Sequence, residues 1–330
     1  MSDSVQITAN LRHPHGVRPL LHPAEDLPNK SEYNTNSWFF IGHFEAEGEV
    51  LNFLFHIFTA PTPDGGQVVA SALAFTNETT GKHVAGVATD SVDKAEISSD
   101  TFHIMVPMGS MSGDLDQLQI KARIPEGSVD LAMKPVGHVL YNGGIGYFPM
   151  LGLNVHQYSI PSMDTTGTLS LGGRTYQING TCWFDRQWQD LLLSADGKPL
   201  DGKWTWMDLI LDNGDRISLW GSVDTAGIER SWVTILHPDG HQTVTSIEPL
   251  SAGQSDYWTS PKSGKRYPTR WTITIPAIDA KLEVIPHPRE QELVPNPVIA
   301  YYEAASSVHG TYRGRETKGY CYVELVGQWN

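Results

Sequence analysis

Short runs of alternating apolar and polar residues recur along the chain, and turn-forming residues separate them. This alternation is typical of β-strands that bury one face in a core. The runs Trp38–Glu47 and Val50–Ala60 are joined by a Gly-Glu pair and predict a hairpin. The runs Lys203–Leu211 and Arg216–Val223 flank Asp-Asn-Gly-Asp, the clearest hairpin signal in the sequence. No long amphipathic helical pattern appears, so we predict an all-β protein with few short helices.

The predicted strands fall into two groups, which a turn-rich segment at 195–202 separates. A chain of 330 residues is long enough for two domains, each with its own core. We predict an N-terminal arm at 1–35 and two antiparallel barrels or sandwiches at 36–195 and 203–330. The further predicted strands are Gln67–Thr76, Thr101–Val106, Gln117–Ile124, Val129–Lys134, Gly152–Ile160, Thr168–Leu171, Arg174–Asp185, Arg230–Leu236, Thr243–Pro249, Arg270–Pro276, Lys281–Ile285, Val298–Ala304 and Tyr320–Val326.

Charge and composition exclude several classes of function. The net charge of −14 argues against nucleic acid and against an anionic membrane surface, because both need clustered Lys and Arg. No apolar run approaches the roughly 20 residues of a membrane helix, and the N-terminus lacks the pattern of a secretory signal, so a cytoplasmic protein is expected. Cys182 and Cys321 can form one bridge only if their strands are neighbours, and two reduced thiols are the expected state.

The common catalytic motifs are absent from the sequence. There is no nucleophile elbow, P-loop, dinucleotide fingerprint or H-E-x-x-H segment. We therefore expect no nucleotide cofactor and no serine-hydrolase chemistry. The missing motifs leave open a metal bound by scattered ligands, but no residues of the sequence are assigned to a metal site. His13, His15 and His22 in the N-terminal arm are expected to be scattered surface histidines rather than a metal-binding tract.

A single carboxylate, Asp185, lies between Trp183 and Trp188 in the aromatic run 179–188. In a strand, Trp183 and Asp185 share one face. A carboxyl group among indoles loses solvation, so its pKa rises and it can act as an acid near neutral pH. Pairing with Arg186 or a backbone turn is the competing interpretation, and the residue type alone favours it.

His156 and Tyr158 share one face of the predicted strand Gly152–Ile160. If this strand neighbours the strand of Asp185, we expect both side chains to converge with Asp185 and Trp183. Such a group suits protonation of a carbon–carbon double bond. The acid delivers a proton, aromatic rings stabilise the cation, and the imidazole orients the acid or a water. The alternative is a polar plug inside a barrel, where Asp185 satisfies His156.

Six of the ten tryptophans lie between positions 183 and 232. Trp204 and Trp206 share a strand face, and with Trp188 they are predicted to line an apolar ligand cavity at the domain junction. Ordinary core packing explains the clustering equally well. Near the C-terminus, Tyr322 and Glu324 share a face and are predicted to contact the ligand. Glu324 is also a second candidate for an acid or base.

Three segments together resemble the hydroxyneurosporene synthase (carotenoid 1,2-hydratase) family of two-domain, lipocalin-like proteins. They are Gly180–Trp188, Lys203–Gly214 and Gly319–Gly327, and their order and spacing extend the resemblance from about Asn36 to the end of the chain. The resemblance implies two calycin-type β-barrels, packed together with a pocket between them.

The same resemblance implies roles for four residues. It makes Asp185 the proton donor beside Trp183 and places His156 and Tyr158 in the same site. Trp183 stands where those hydratases have tyrosine, and Tyr158 where they have tryptophan, so an aromatic wall of different shape is kept. The implied activity is a cofactor-independent hydratase or dehydratase acting on an apolar isoprenoid- or polyketide-like molecule. Cofactor-free cyclases, including Diels–Alderases, resemble the chain more distantly, and a lipocalin-like carrier without catalysis is the third interpretation.

Overall fold

The computed structural model describes residues 11–12, 16–191, 202–296 and 299–329, and their regular structure is almost entirely β. No helix within these ranges is long and apolar enough to cross a membrane. Two four-residue helices occur there, α1 (Pro23–Asp26) and α2 (Leu250–Gly253), with short 3-10 turns at Val92–Lys94, Asn142–Gly144 and Pro276–Ile278.

The strands up to the gap at 192–201 belong to the first half of the molecule. They are β1 (Leu11–Arg12), β2 (Thr35–Ala46), β3 (Glu49–Pro61), β4 (Gln67–Asn77), β5 (Lys82–Ser91), β6 (Glu96–Ile97), β7 (Phe102–Val106), β8 (Gly109–Gly113), β9 (Leu118–Ile124), β10 (Gly127–Pro135), β11 (Gly137–His138), β12 (Leu140–Tyr141), β13 (Tyr147–Met150), β14 (Leu153–Leu171) and β15 (Arg174–Gln189). The second half contains β16 (Gly202–Leu211), β17 (Arg216–Asp224), β18 (Glu229–Leu236), β19 (Gln242–Ser246), β20 (Gln254–Ser255), β21 (Trp258–Thr259), β22 (Arg266–Tyr267), β23 (Arg270–Ile275), β24 (Ala280–Pro286), β25 (Glu292–Asn296), β26 (Ile299–Tyr312) and β27 (Arg315–Gly327).

Two large antiparallel sheets organise these strands. The first has 13 strands in the order β5-β4-β3-β2-β15-β14-β10-β9-β8-β7-β6, with β12 and β13 beside β14. The second has 10 strands in the order β19-β18-β17-β16-β27-β26-β24-β23-β20, with β25 beside β26. The predicted all-β class with two antiparallel sheets is confirmed. Most of the predicted linker, 195–201, lies outside the described residues, so the domain limits stay predictions.

Side-chain alternation along the strands sorts the buried residues into three layers. Each sheet curls around an apolar core of its own, with Cys182 in the first core and Cys321 in the second, so the two thiols are free and far from a bridge. The opposite faces of the two sheets pack against each other and form an inter-sheet layer. Its buried apolar members are Phe39, Ile41, Leu54, Ala72, Ala74, Leu140, Phe148, Met150, Leu153, Val155, Trp183, Trp206, Trp220, Leu236, Leu293, Tyr301, Ala305 and Tyr322.

The predicted N-terminal arm is packed against the first sheet over its described part, where Leu21 and Leu27 are buried in the first core. Arg186 on β15 holds this segment in place. Its guanidinium donates to the backbone oxygens of Asp26 at 2.9 Å and Pro28 at 2.8 Å. Arg186 is fully buried, and its group lies over the ring of Trp38, 4.4 Å from the centroid. The described part of the arm is thus an integral part of the first half. His13 and His15 lie outside the described residues, and His22 is exposed at the start of α1.

Replacing Arg186 with methionine is expected to lower the free energy of unfolding by about 3 kcal/mol or more. The methionine keeps most of the volume but leaves buried backbone oxygens without a donor, at about 1–3 kcal/mol for each such group. Urea unfolding of Arg186→Met measures the loss. Arg123→Met is the matched control, because Arg123 is exposed on β9 and should change stability by no more than about 0.5 kcal/mol. Equal losses in the two variants would contradict the anchoring role.

Candidate functional site

Asp185 projects from β15 into the inter-sheet layer and is only 5% exposed. Its Oδ1 accepts a hydrogen bond from the indole Nε1 of Trp183 at 2.9 Å and another from the hydroxyl of Ser159, its cross-strand partner on β14. Burial raises the pKa of Asp185 to about 7, although the two hydrogen bonds oppose the shift, and the nearby Glu324 carboxyl adds to it. Asp185 therefore holds a proton that it can release near neutral pH.

Aromatic rings from both sheets surround this carboxyl group. Phe39 is the cross-strand partner of Asp185 on β2. Across the layer, the ring of Trp206 lies 5.5 Å from Phe39 and 6.3 Å from Trp183, both in edge-to-face contact. The ring of Tyr322 lies 6.1 Å from Phe39. The acid of the first sheet is thus placed against the aromatic face of the second, where π-faces can stabilise a developing cation.

One register row of the second sheet crosses the layer through five adjacent strands, from β18 to β26. In order, the row contains Trp232, Trp220, Trp206, Glu324 and Glu303. The indole Nε1 of Trp220 donates to Gln157 on β14 at 3.1 Å and so ties the row to the first sheet. Because the row combines three indoles with two carboxyl groups, it can hold an apolar ligand and exchange protons with it.

Two further carboxyl groups of the layer, Asp208 and Glu303, are buried as deeply as Asp185, at 3% and 0% exposure. Asp208 accepts a hydrogen bond from the backbone N–H of Tyr322, while burial and the neighbouring Asp185 raise its pKa well above the ordinary value. Burial also raises the pKa of Glu303, and so does the adjacent Glu324. The layer consequently concentrates protonated carboxyl groups at neutral pH.

The predicted convergence of His156 and Tyr158 with Asp185 is wrong. Their strand, β14, does neighbour β15, but the register pairs His156 with Trp188 and Tyr158 with Arg186. Directly opposed residues share a face, so these four side chains point into the first half and away from Asp185. Ser159 takes the place beside the acid that the prediction reserved for His156.

His156 and Trp188 form part of the packing near the N-terminal segment. Their rings stack 5.4 Å apart at an interplanar angle of 3°, and burial lowers the pKa of His156. Tyr158 is fully buried and donates its hydroxyl proton to the backbone oxygen of Pro23 at 3.1 Å. The predicted placement of Trp188 at the domain junction is therefore wrong too, because this indole lies in the first core, 4.9 Å from the Arg186 guanidinium.

The other candidates from the sequence do come together. Five of them project into the inter-sheet layer: Trp183, Asp185, Trp206, Tyr322 and Glu324. The half-buried Trp204 lies at the margin of this layer, where its Nε1 donates to Glu324 at 2.7 Å. Their roles in catalysis and ligand binding stay predictions.

Sequence reasoning missed three polar members of the layer: Ser159, Asp208 and Glu303. Asp208 and Glu303 carry the same signal as Asp185, namely one carboxylate inside an apolar strand segment. Ser159 carries no such signal, since a lone serine is common in strands.

Comparison with known proteins places the chain in a family. The model of the AttH-like family matches residues 16–328. The chain belongs to the AttH-like family. The expected kinship with carotenoid-hydratase-like proteins is thereby confirmed at the family level.

Three proteins illustrate the similarity. The chain is 27% identical to the dehydratase asqC of Emericella nidulans over 232 residues, which cover 66% of this chain and 63% of that relative. Its fold is similar to the kievitone hydratase of Nectria haematococca, with a TM-score of 0.81 and 20% identity over 96% of each chain. It is equally similar to a crystal structure assigned as AttH from Nitrosomonas europaea, with a TM-score of 0.81 and 17% identity over 97% of this chain and 100% of that one.

The raised pKa of Asp185 predicts a specific dependence of stability on pH. Between about pH 4 and pH 7 the folded protein holds a proton on Asp185 that the unfolded chain releases, so the free energy of unfolding falls as pH rises through this range. The contribution of Asp185 to that fall is on the order of 4 kcal/mol. In Asp185→Asn the fall should shrink accordingly, since asparagine keeps an acceptor for Trp183 and Ser159 but does not titrate.

Urea unfolding of wild type and Asp185→Asn between pH 4.5 and pH 8 measures this difference. Asp164→Asn is the control, because Asp164 is exposed on β14 and should leave the wild-type slope in place. Parallel curves for wild type and Asp185→Asn would contradict the buried proton.

Proposed function

We propose that the protein is a cofactor-independent hydro-lyase. It adds water to a carbon–carbon double bond of an apolar, isoprenoid- or polyketide-like small molecule, or removes water to form one. Asp185 donates the proton, and Trp183 and Trp206 stabilise the positive charge that develops on carbon. The ligand lies in the inter-sheet layer and enters at its margin, where Trp204 and Trp232 are half-buried.

The observation that carries this proposal is the environment of Asp185. A carboxyl group that protonates an alkene or a departing hydroxyl must hold its proton at working pH and release it within an apolar site. The Asp185 carboxyl is buried, its pKa is about 7, and aromatic rings of both sheets face it. The names of two relatives, a dehydratase and a kievitone hydratase, point to the same reaction class.

Asp185→Asn is expected to lower turnover by about 10²- to 10⁴-fold, the usual contribution of a general acid, without loss of ligand binding. Incubation with neurosporene and with kievitone in heavy-oxygen water, followed by mass spectrometry, measures the reaction. Incorporated label marks hydration, and loss of one water from an added alcohol marks dehydration. Asp164→Asn is the control and should retain wild-type turnover.

Two other outcomes correspond to the competing functions. An isomer without label, formed equally well by Asp185→Asn, would assign a cyclase that works through the shape of the layer. Tight binding of the probe with no chemical change in the wild type would assign a carrier.

Trp183→Phe tests the hydrogen bond from the indole to the acid. Because this N–H favours the ionised form of Asp185, its removal raises the pKa of Asp185 further. The alkaline limb of the pH–rate profile, expected near pH 7, should move up by about one pH unit. Trp206→Phe is the matched control, since its indole N–H donates to Ser218 at 3.0 Å and not to Asp185. An unmoved limb in Trp183→Phe would remove Asp185 as the titrating acid.

A further inference from the structure

Glu303 and Glu324 face each other across neighbouring strands in the inter-sheet layer. The register of β26 and β27 makes them direct cross-strand partners, a position in which side chains lie about 5 Å apart at Cβ. Glu303 is 0% exposed, and neither of its carboxyl oxygens has a hydrogen bond of ordinary length among the described residues. Two ionised carboxylates in this arrangement would repel each other strongly, so the pair holds one proton.

The surroundings distribute the proton and the charge unequally. Glu324 is partly exposed, and burial raises its pKa, but two contacts oppose the rise and favour its ionised form: the indole N–H of Trp204, which it accepts at 2.7 Å, and the contact with Glu303. Glu303 has no such donor and is fully buried, so the proton resides on Glu303. Glu324 is therefore a carboxylate that a protonated neighbour and an indole hold in place.

Glu324 lies across the layer from Asp185. Its cross-strand partner on β16 is Trp206, whose ring contacts Trp183 and Phe39, the two residues that flank Asp185. The charge of Glu324 also raises the pKa of Asp185, as expected for two groups that share one apolar layer. A ligand seated on Trp206 would have a protonated carboxyl on one side and a carboxylate on the other.

We propose that Glu324 is the base that works opposite Asp185, and that Glu303 is a positioning residue that shares a proton with Glu324. This inference rests on the proposed hydro-lyase function. In dehydration, Asp185 gives its proton to the hydroxyl oxygen, and the C–O bond breaks with its electron pair on the departing water. The neighbouring C–H bond then breaks, its electron pair forms the C=C bond, and the proton moves to Glu324. In hydration, Asp185 gives its proton to one alkene carbon, the π-electron pair forms the new C–H bond, water attacks the resulting cation, and Glu324 takes a proton from that water.

Two other polar groups of the layer are poorer bases. Asp208 is 3% exposed, its oxygen is engaged by the backbone N–H of Tyr322, and its raised pKa keeps it protonated. His56 shares the register row of Asp185, but burial lowers its pKa to about 3, so its ring is a weak proton acceptor. Glu324 combines partial exposure with a donor that favours the charged form.

The test compares Glu324→Gln and Glu303→Gln with Glu316→Gln, an identical change at an exposed position of β27. The probe is whichever of neurosporene and kievitone the wild type converts. Glu324→Gln should lower kcat by about 10²-fold or more and remove the acidic limb of the pH–rate profile. Glu303→Gln removes the acidic proton that favours the ionised form of Glu324, so it should move that limb to higher pH. Glu316→Gln should match the wild type.

If Glu324→Gln does not fold, Trp204→Phe provides a second test of whether Glu324 is the base. Loss of the indole donor makes Glu324 more basic, so the acidic limb should move to higher pH while the alkaline limb stays in place. A wild-type profile in Glu324→Gln, or an unmoved acidic limb in Trp204→Phe, would overturn the assignment of Glu324 as the base.

Infrared spectroscopy tests the shared proton without any substrate. At neutral pH the wild type should show the C=O absorption of protonated carboxylic acids. Glu303→Gln should remove one such component, and Asp185→Asn a different one. An unchanged absorption in Glu303→Gln would overturn the proton-sharing pair. If the wild type converts neither probe, the proposed function has failed, and the infrared result still decides whether the pair exists.

Discussion

Burial of carboxyl groups between two β-sheets is the constraint on which the site depends. An ionised carboxylate in an apolar layer costs several kcal/mol unless donors or cations compensate it, so such groups stay protonated or recruit hydrogen bonds. Asp185 recruits an indole and a hydroxyl, Asp208 a backbone N–H, and Glu324 a second indole. Glu303 is left with a proton. Compensation that is only partial keeps the pKa values high, and high pKa values make these groups useful as proton carriers near neutral pH.

The fold tolerates the buried carboxyl groups because the residues of the two apolar cores and the residues of the candidate site lie on opposite faces of the same strands. On β15, Cys182 and Phe184 point into the first apolar core while Trp183 and Asp185 point into the layer. On β27, Val323 belongs to the second core while Glu324 shares the layer with Trp206. Each sheet therefore curls around a hydrophobic core of its own. The layer between the sheets is free to hold polar groups that a single core would not tolerate.

Much of the architecture could be predicted from the sequence, because alternation and turn residues are local signals. Turn residues predict the hairpin at Asp212–Asp215, and alternation predicts that Trp183 and Asp185 share a face. The family resemblance implies that β14 and β15 lie close together. The register between β14 and β15 does not. Val155 and Tyr158 are both 0% exposed, so neither face of β14 carries a polar pattern that would distinguish the two registers. A change of one residue in register exchanges the faces and reverses the prediction for His156.

The register also changes what the family resemblance can mean for this chain. The resemblance groups His156 with Asp185, yet His156 stacks on Trp188 on the far side of β14 and β15. A side chain on that face cannot accept a proton from a ligand in the inter-sheet layer. The partner of Asp185 must come from the layer itself, where the first sheet contributes Ser159, Gln157, the weakly basic His56 and apolar rings. The second sheet brings Glu324 on the same row as Trp206. The proposed acid–base chemistry therefore needs both packed sheets, because neither sheet alone supplies both an acid and a base.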